Sequence, residues 1–313
     1  MSVTGLLHPL TEPFSYAFMQ RALLSCALIG FTNGFLGTFV ILRRQALLTD
    51  ALSHSLLPGL AVAAILVGLS PGGLLLGGLL AALLVALGGQ LIARNSRLKD
   101  ETAVAALYII AFALGILLLR YARVKVDLVH FLFGNILGVG DGDLLISYGA
   151  AVLTLGILVP LQRPVLLTLF DTSVARASGI RTGWIEAGLL ALIVLALVAS
   201  LQAVGVLLSL GLLILPAATA YLMTDSFSRM LWGSAFLGLA GGVAGLLISF
   251  MANIPSGPCI VLVLALFLGA AYLFSPRHGV LIRFFRGRHL HEESLQRWTG
   301  HEGHDHDLPE KGG

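Results

Sequence analysis

Long apolar runs, separated by short polar or charged segments, dominate the pattern of this chain. Nine of the runs are long enough to cross a bilayer as helices, since about 20 apolar residues span its hydrocarbon core. They lie at about residues 21–42, 46–67, 72–93, 102–119, 144–160, 185–203, 205–223, 230–250 and 256–274. A run at 128–140 is too short to cross, and we interpret it as a half-helix at one face. The pattern predicts an all-α, polytopic membrane helix bundle of about nine transmembrane helices.

The composition supports a membrane protein. The chain is 57% hydrophobic and 11% charged, whereas a soluble domain carries about 25% charged residues. Its 37 glycines suit close packing of helices in lipid, because small residues let two backbones approach each other. Spacings such as Gly30/Gly34, Gly73/Gly77 and Gly241/Gly245 fit that packing.

The basic residues indicate the orientation. The net charge of +3 could suggest nucleic-acid binding, but these residues lie between apolar runs, so we interpret them as topology signals and expect no nucleic-acid partner. If residues 161–184 are cytoplasmic, the inner group is Arg43, Arg44, Arg94, Arg97, Lys99, Arg163, Arg176, Arg181 and Arg229. The outer group is then Arg21, Arg120, Arg123 and Lys125. The positive-inside rule favours this layout, which places the carboxy terminus in the cytoplasm.

Two ionisable residues interrupt the second apolar run. Asp50 and His54 are one helical turn apart, so both side chains lie on one face, about 5–6 Å apart at Cβ. A charged side chain in a lipid-facing helix costs about 2.5–3.5 kcal/mol, so such residues normally face a bundle interior or a pathway. A carboxylate oxygen and an imidazole nitrogen also suit a transition metal ion. The pair predicts a metal path; the alternative is a buried Asp–His hydrogen bond that fixes helix packing.

Other polar residues in the runs have two interpretations. Four could add oxygen ligands to the path or form interhelical hydrogen bonds: Asn33, Ser53, Ser209 and Thr219. Pro216 frees a backbone carbonyl, as a kink that moves or as a static packing feature. His130, beside the predicted half-helix, fits an interfacial position better than a ligand position.

Two segments are not simple spans. Residues 163–184 begin with an Arg-Pro pair and have a small, polar middle, which predicts a short cytoplasmic helix ending near Gly179. Hydrophobicity collapses at residue 276, so we expect a transmembrane domain over 1–275 and a disordered, His-rich cytoplasmic tail over 276–313. In the tail, His301, His304 and His306 could bind zinc or a similar ion loosely, or form a solvated polar segment.

The motifs of two enzyme classes do not fit this sequence. A P-loop needs a lysine directly after a glycine to hold phosphates, and none of the lysines (Lys99, Lys125 and Lys311) follows a glycine. The run from His301 to His304 is one residue short of the HExxH metalloprotease motif. We therefore expect that the chain is neither an ATPase nor an intramembrane metalloprotease and that it catalyses no covalent chemistry itself.

The chain resembles the membrane permease subunits of bacterial ABC importers for zinc, manganese and iron, from about residue 14 to residue 275. The first of four blocks that carry the resemblance, GFLGTFVILRRQALLTDALSHSLLPG (34–59), contains the Asp-x-x-x-His core of Asp50 and His54. The other blocks are VDLVHFLFGNILGV (126–139), VGVLLSLGLLILPAATAYLM (204–223) and IPSGPCIVL (254–262).

The resemblance implies partners and roles. Such permeases work in pairs, usually homodimers, in the plasma (inner) membrane, with cytoplasmic ATP-binding subunits and an extracytoplasmic metal-binding protein. It implies that Asp50 and His54 are intramembrane ligands for a transported divalent metal, with no permanently bound cofactor. A coupling helix of pattern D-x-x-x-A-x-x-x-G falls on Asp171, Ala175 and Gly179, whose spacing forms one stripe suited to a groove on the ATPase. An ordinary interfacial helix is the alternative for that segment.

Two other transporter classes remain as alternatives. In an ATP-independent secondary transporter, Asp50 and His54 would relay protons, but residues 163–184 would have no role and no inverted repeat is obvious. A siderophore or cobalamin permease would not need an Asp–His pair in its path. Zinc, manganese and iron suit these donors equally, and the His-rich tail slightly favours zinc.

Overall fold

The computed structural model describes residues 12–68, 70–121 and 136–275, most of which are helical. The helices are α1 (Ala17–Leu42), α2 (Ala46–His54), α3 (Leu57–Leu66), α4 (Pro71–Asn95), α5 (Asp100–Leu119), α6 (Asp141–Phe170), α7 (Thr172–Ala177), α8 (Thr182–Val204), α9 (Val206–Met223), α10 (Phe227–Ala252) and α11 (Ser256–Phe274). Of the predicted half-helix at 128–140, the described part contains a 3₁₀ turn at Ile136–Gly138. His130 lies outside the described residues.

The helices confirm the prediction of about nine spans. Within the described ranges, nine segments are long and apolar enough to cross a membrane, with α2 and α3 forming one of them. The largest difference from the predicted boundaries is in α6, which continues through Pro160 and Pro164 to Phe170 instead of ending at 160. A proline inside a helix removes one backbone hydrogen bond, and membrane helices tolerate this loss where neighbouring groups compensate.

Helices α1 and α8 form the centre of the bundle. They are the most buried spans, and Phe35 and Phe39 of α1 share an apolar cluster with Val194 and Leu197 of α8. Helices α9 and α10 pack along α1, whereas α4 and α6 pack against α8. The outer faces of α4, α5 and α6 expose many large apolar side chains, as expected of helices that contact lipid or another membrane chain.

Glycines set the closest helix contacts, as their spacing predicted. Gly30 and Gly34 of α1 lie directly against the backbone of α10 at Gly238 and Ser234. Gly59 of α3 and Gly77 of α4 approach each other so closely that a Cβ on either would overlap the backbone oxygen of the other. Direct backbone contact of this kind is typical of small residues at membrane helix interfaces.

The described members of the two groups of basic residues lie at opposite ends of the bundle. At the end that carries α7, which we call the α7 face, Glu186 contacts Arg94 (3.2 Å) and Arg43 (3.7 Å). At the opposite end, the Nε of Arg21 lies 2.9 Å from the Oδ1 of Asp141. Arg123 and Lys125 lie outside the described residues. Among the described basic residues, more therefore lie at the α7 face than at the opposite end.

The contact between α3 and α4 can be tested with a single methyl group. Gly59→Ala should lower the free energy of unfolding by about 1–3 kcal/mol, as overpacking does, because its Cβ would meet the Gly77 backbone oxygen. Gly72→Ala is the matched control, since a Cβ there has open space. Thermal unfolding of both variants in detergent measures the difference. Equal midpoints for the two variants would contradict the close contact.

Candidate metal path

Asp50 and His54 both lie on the nine-residue helix α2. With a rise of about 1.5 Å per residue, Asp50 is about 6 Å and His54 about 12 Å along this helix from Ala46, which lies at the α7 face. The side chains of Asp50 and His54 are 54% and 36% exposed, and Leu47 on the same side of the helix is 82% exposed. The pair therefore lies on an open surface of this chain, within the depth of a span.

The separation of the two side chains is too long for a hydrogen bond and lies within the upper limit for a shared ion. The Oδ1 of Asp50 and the Nε2 of His54 are 3.9 Å apart, which is too long for a direct hydrogen bond. Two ligands with metal bonds of about 2.1 Å can be at most about 4.2 Å apart on one ion. The packing alternative requires a direct bond, and this geometry does not provide one.

The His54 ring is held by an aromatic contact. It meets Phe112 of α5 edge to face, with ring centroids 5.9 Å apart. The neighbouring hydroxyl groups on α2 are directed at backbone carbonyls of their own helix, with Thr49 donating to Gln45 and Ser53 to Thr49. The side chains of α2 that remain available to an ion are therefore those of Asp50 and His54.

The helix that carries the pair ends at His54. The predicted span over 46–67 is present as one membrane-length segment, Ala46–Leu66, but its helix is divided into α2 and α3. Pro58 has no N–H and cannot donate to the carbonyl of His54, four residues earlier. Gly115 of α5 packs against Leu57 and Pro58 at the break. Pro58 is the sequence feature at this break, but a proline alone does not predict one, since α6 continues through Pro160 and Pro164.

The other candidate ligands have structural partners. The side-chain amide of Asn33 donates to the backbone oxygen of Ser209 at 3.3 Å, and the hydroxyl groups of Ser209 and Ser200 hydrogen-bond to each other. Thr219 donates to the carbonyl of Leu215 in its own helix. These contacts favour the hydrogen-bonding interpretation of these polar residues over a ligand role. Among the described residues, no three His, Cys, Asp or Glu side chains come together as a metal site.

Helix α7 is built by the residues of the D-x-x-x-A-x-x-x-G pattern. Asp171 caps its amino terminus, accepting hydrogen bonds from the Ser173 and Val174 amides at 2.9 and 3.0 Å. Gly179 has φ of +80°, and the Gly179 and Ile180 amides donate to the carbonyls of Arg176 and Ala175. This is a Schellman ending, in which glycine accommodates the left-handed backbone.

The expected orientation of the stripe is wrong for Ala175. This side chain is fully buried in the chain, where α7 contacts α6 and α8, so it cannot face a groove on a partner. The three residues of the pattern have separate structural roles: Asp171 caps the helix, Ala175 packs against the neighbouring helices, and Gly179 ends the helix. The outward side of α7 instead includes Val174, which is 47% exposed. The predicted tail ligands His301, His304 and His306 lie outside the described residues.

The nine apolar spans within the described residues indicate a multi-pass membrane protein. The sequence matches the ABC 3 transport family over residues 15–275. The chain therefore belongs to that family, which confirms the resemblance seen in the four sequence blocks.

Two curated relatives and one solved structure illustrate the similarity. The chain is 40% identical to the manganese transport system membrane protein MntC of Halalkalibacterium halodurans, over 90% of this chain and 95% of that protein. It is 34% identical to a Haemophilus influenzae protein named "Probable iron transport system membrane protein", over 85% and 97% of the two chains. A chain of PsaBC from Streptococcus pneumoniae, solved in complex with Fab, superimposes with a TM-score of 0.76 at 34% identity, covering 87% and 97%.

The cap of α7 can be tested by hydrogen exchange. Asp171→Ala removes the acceptor for two amides and should destabilise the helix by about 1 kcal/mol, or about fivefold faster local exchange. Asp171→Asn keeps a capping oxygen and should exchange nearly as the parent does. Peptide-resolved hydrogen exchange over 172–178 measures the effect, with α8 as the internal control. Unchanged exchange in Asp171→Ala would contradict the cap.

Proposed function

We propose that this chain is the permease subunit of an ATP-binding-cassette importer for a divalent transition metal ion. The observation that supports this most is the half-exposed Asp50–His54 pair, whose 3.9 Å separation lies within the limit of about 4.2 Å for two donors on one ion. The ion passes these side chains as cargo, and each replaces part of its hydration shell. An ATP-binding subunit supplies the energy, and an extracytoplasmic metal-binding protein delivers the ion.

Manganese is the metal that we propose first. One carboxylate and one imidazole suit manganese, iron and zinc, so the donors alone do not choose. The relative MntC, which is 40% identical, is named for manganese transport, and the Haemophilus influenzae relative is named for iron. The slight preference for zinc came from the tail alone, so iron is the second candidate and zinc the third.

A second copy of the chain would complete the site. One chain offers two side-chain donors at this position, whereas transition metal ions bind about four to six ligands. A two-fold axis beside α2 would bring two such pairs together, since an isologous interface presents the same surface twice. The exposure of Asp50 and Leu47 in the single chain supports an interface there.

The α7 face is the side that we assign to the cytoplasm of the plasma (inner) membrane. Most of the basic residues in the described part of the chain lie at this face, which agrees with the positive-inside rule, and we assign the carboxy terminus to the same side. Helix α7 is capped at both ends and packed on α6 and α8. We therefore expect it to move as a rigid element when the ATP-binding subunit moves. We assign the ATP-binding subunit to its outward side. The family membership argues against the secondary-transporter and the siderophore or cobalamin alternatives.

The pair can be tested by uptake of manganese into vesicles containing the reconstituted importer. Asp50→Ala and His54→Ala should each reduce the initial rate to background, because each removes one of the two donors. Asp50→Asn should fail as well, since it keeps the shape and a hydrogen-bonding oxygen but loses the charge that binds a cation. A residue that served only packing would tolerate this last change.

Leu66→Ala is the control for the uptake experiment. It shortens an exposed apolar side chain at the end of α3, in the same span but away from the proposed interface beside α2, so uptake should remain near the parental rate. Membrane insertion and oligomeric state are checked for all variants by size-exclusion chromatography. Normal uptake by Asp50→Asn would overturn the metal-path assignment.

The outward side of α7 can be tested by association with the ATP-binding subunit. Val174→Asp puts a charge on an exposed apolar position and should weaken copurification of that subunit. Ser228→Asp is the control, since this exposed residue lies on the same end of the bundle in the first turn of α10, where a carboxylate is favourable. Equal copurification of both variants would show that α7 is not the docking element.

A further inference from the structure

A cavity of about 560 Å³ opens at the α7 face, between the end of α4, the segment after α7 and the start of α8. Its lining includes three arginines, Arg94, Arg176 and Arg181, together with Trp184 and Glu186. The cavity is separate from α2 and from the Asp50–His54 pair. Its size and its basic lining suggest an anionic ligand.

The positive charge of this cavity is not balanced by its own carboxylate. Glu186 is already engaged by Arg94 at 3.2 Å and by Arg43 at 3.7 Å. Within the described ranges, neither Arg176 nor Arg181 forms an ion pair. The Nε of Arg176 donates to the Thr182 hydroxyl at 3.3 Å, which orients the guanidinium towards the start of α8. Two guanidinium groups therefore remain available to an anion, and such groups bind phosphate oxygens well.

The surroundings of the cavity point to a lipid. Trp184 is 77% exposed, and tryptophan is enriched at the level of lipid headgroups. Leu80, Leu84, Leu87 and Leu91 are exposed along one face of α4, and Arg94 continues that face at the next i+3 position. The exposed leucines thus form an apolar stripe along α4 that ends at Arg94 in the cavity. A phospholipid has the same order, with an apolar acyl chain that ends at a charged headgroup.

We propose that this cavity binds the phosphate headgroup of an anionic phospholipid, with its acyl chain along the exposed leucines of α4. Arg176 and Arg181 hold the phosphate, and Trp184 lies at the headgroup boundary. Basic pockets between helices on the cytoplasmic side are suited to such headgroups. Free inorganic phosphate shares the headgroup chemistry but would not use the apolar stripe. Because Arg176 belongs to α7, the bound lipid would also fix α7 against α4 and α8.

The test measures lipid binding to the full-length purified permease. Native mass spectrometry in detergent compares phosphatidylglycerol, phosphatidylcholine and inorganic phosphate. The parent should bind phosphatidylglycerol in preference to phosphatidylcholine, and millimolar inorganic phosphate should not displace it. Arg176→Gln with Arg181→Gln should weaken phosphatidylglycerol binding by about thirtyfold, the effect expected for two arginines at a membrane surface.

Arg229→Gln is the matched control, since Arg229 is exposed at the same end of the bundle but does not line the cavity. It should bind phosphatidylglycerol as the parent does. If the double variant is poorly folded, Arg181→Gln alone should still weaken binding, and Arg181→Lys should retain part of it. Parental affinity in the folded arginine variants, or an equal loss in Arg229→Gln, would overturn the proposal.

Two further outcomes would assign the cavity to another ligand. Displacement by inorganic phosphate at similar concentration would identify a free-phosphate site instead of a lipid site. Unchanged lipid binding combined with loss of the ATP-binding subunit from the double variant would assign the arginines to acidic groups of that subunit. Because lipid binding is measured without metal or ATP, failure here would leave the uptake prediction for Asp50 and His54 standing.

Discussion

The interruption of the second span after His54 is the constraint on which the rest of this site depends. Inside a bilayer, a backbone carbonyl without a partner is costly unless protein or a cavity surrounds it. Because Pro58 has no N–H, it cannot donate a hydrogen bond to the carbonyl of His54. The close contacts of Gly59 with Gly77 and of Gly115 with Leu57 surround the break with protein. Helix α2 can therefore be a short, separate element that presents Asp50 and His54 on its open side.

Helix α7 shows how one sequence pattern can satisfy two explanations. A four-residue period predicts a shared face, but a short helix also needs a cap, a packed contact and an ending at similar intervals. Asp171, Ala175 and Gly179 meet those three needs. A segment defined so tightly at both ends behaves as a rigid unit, which a docking element requires, even though its pattern residues face inward or close its ends.

The sequence predicted the spans well because lipid demands long apolar helices, so the physical rule and the pattern coincide. It singled out Asp50 and His54 as candidates for a similar reason, since ionisable residues stand out in an apolar run, and their role as ligands stays a prediction. It did not predict the continuation of α6 through Pro160 and Pro164 or the burial of Ala175, because both depend on neighbouring helices. The cavity at Arg176 and Arg181 joins residues from three helices and their connections, and local spacing carries no sign of it.

An ion pair connects the start of α8 with the segment that leads into α2, the helix that carries Asp50 and His54. Glu186, in the first turns of α8, contacts Arg43, which follows α1 and lies three positions before the first residue of α2. Burial lowers the pKa of Arg43, and the nearby carboxylates of Glu186 and Asp100 raise it, so the guanidinium keeps its charge at neutral pH. Since the side chains of Arg43 and Glu186 are largely buried, solvent screens this pair less than an exposed one. A displacement of α7 and the start of α8 can therefore be transmitted to α2 through the Arg43–Glu186 ion pair and the turn that precedes α2.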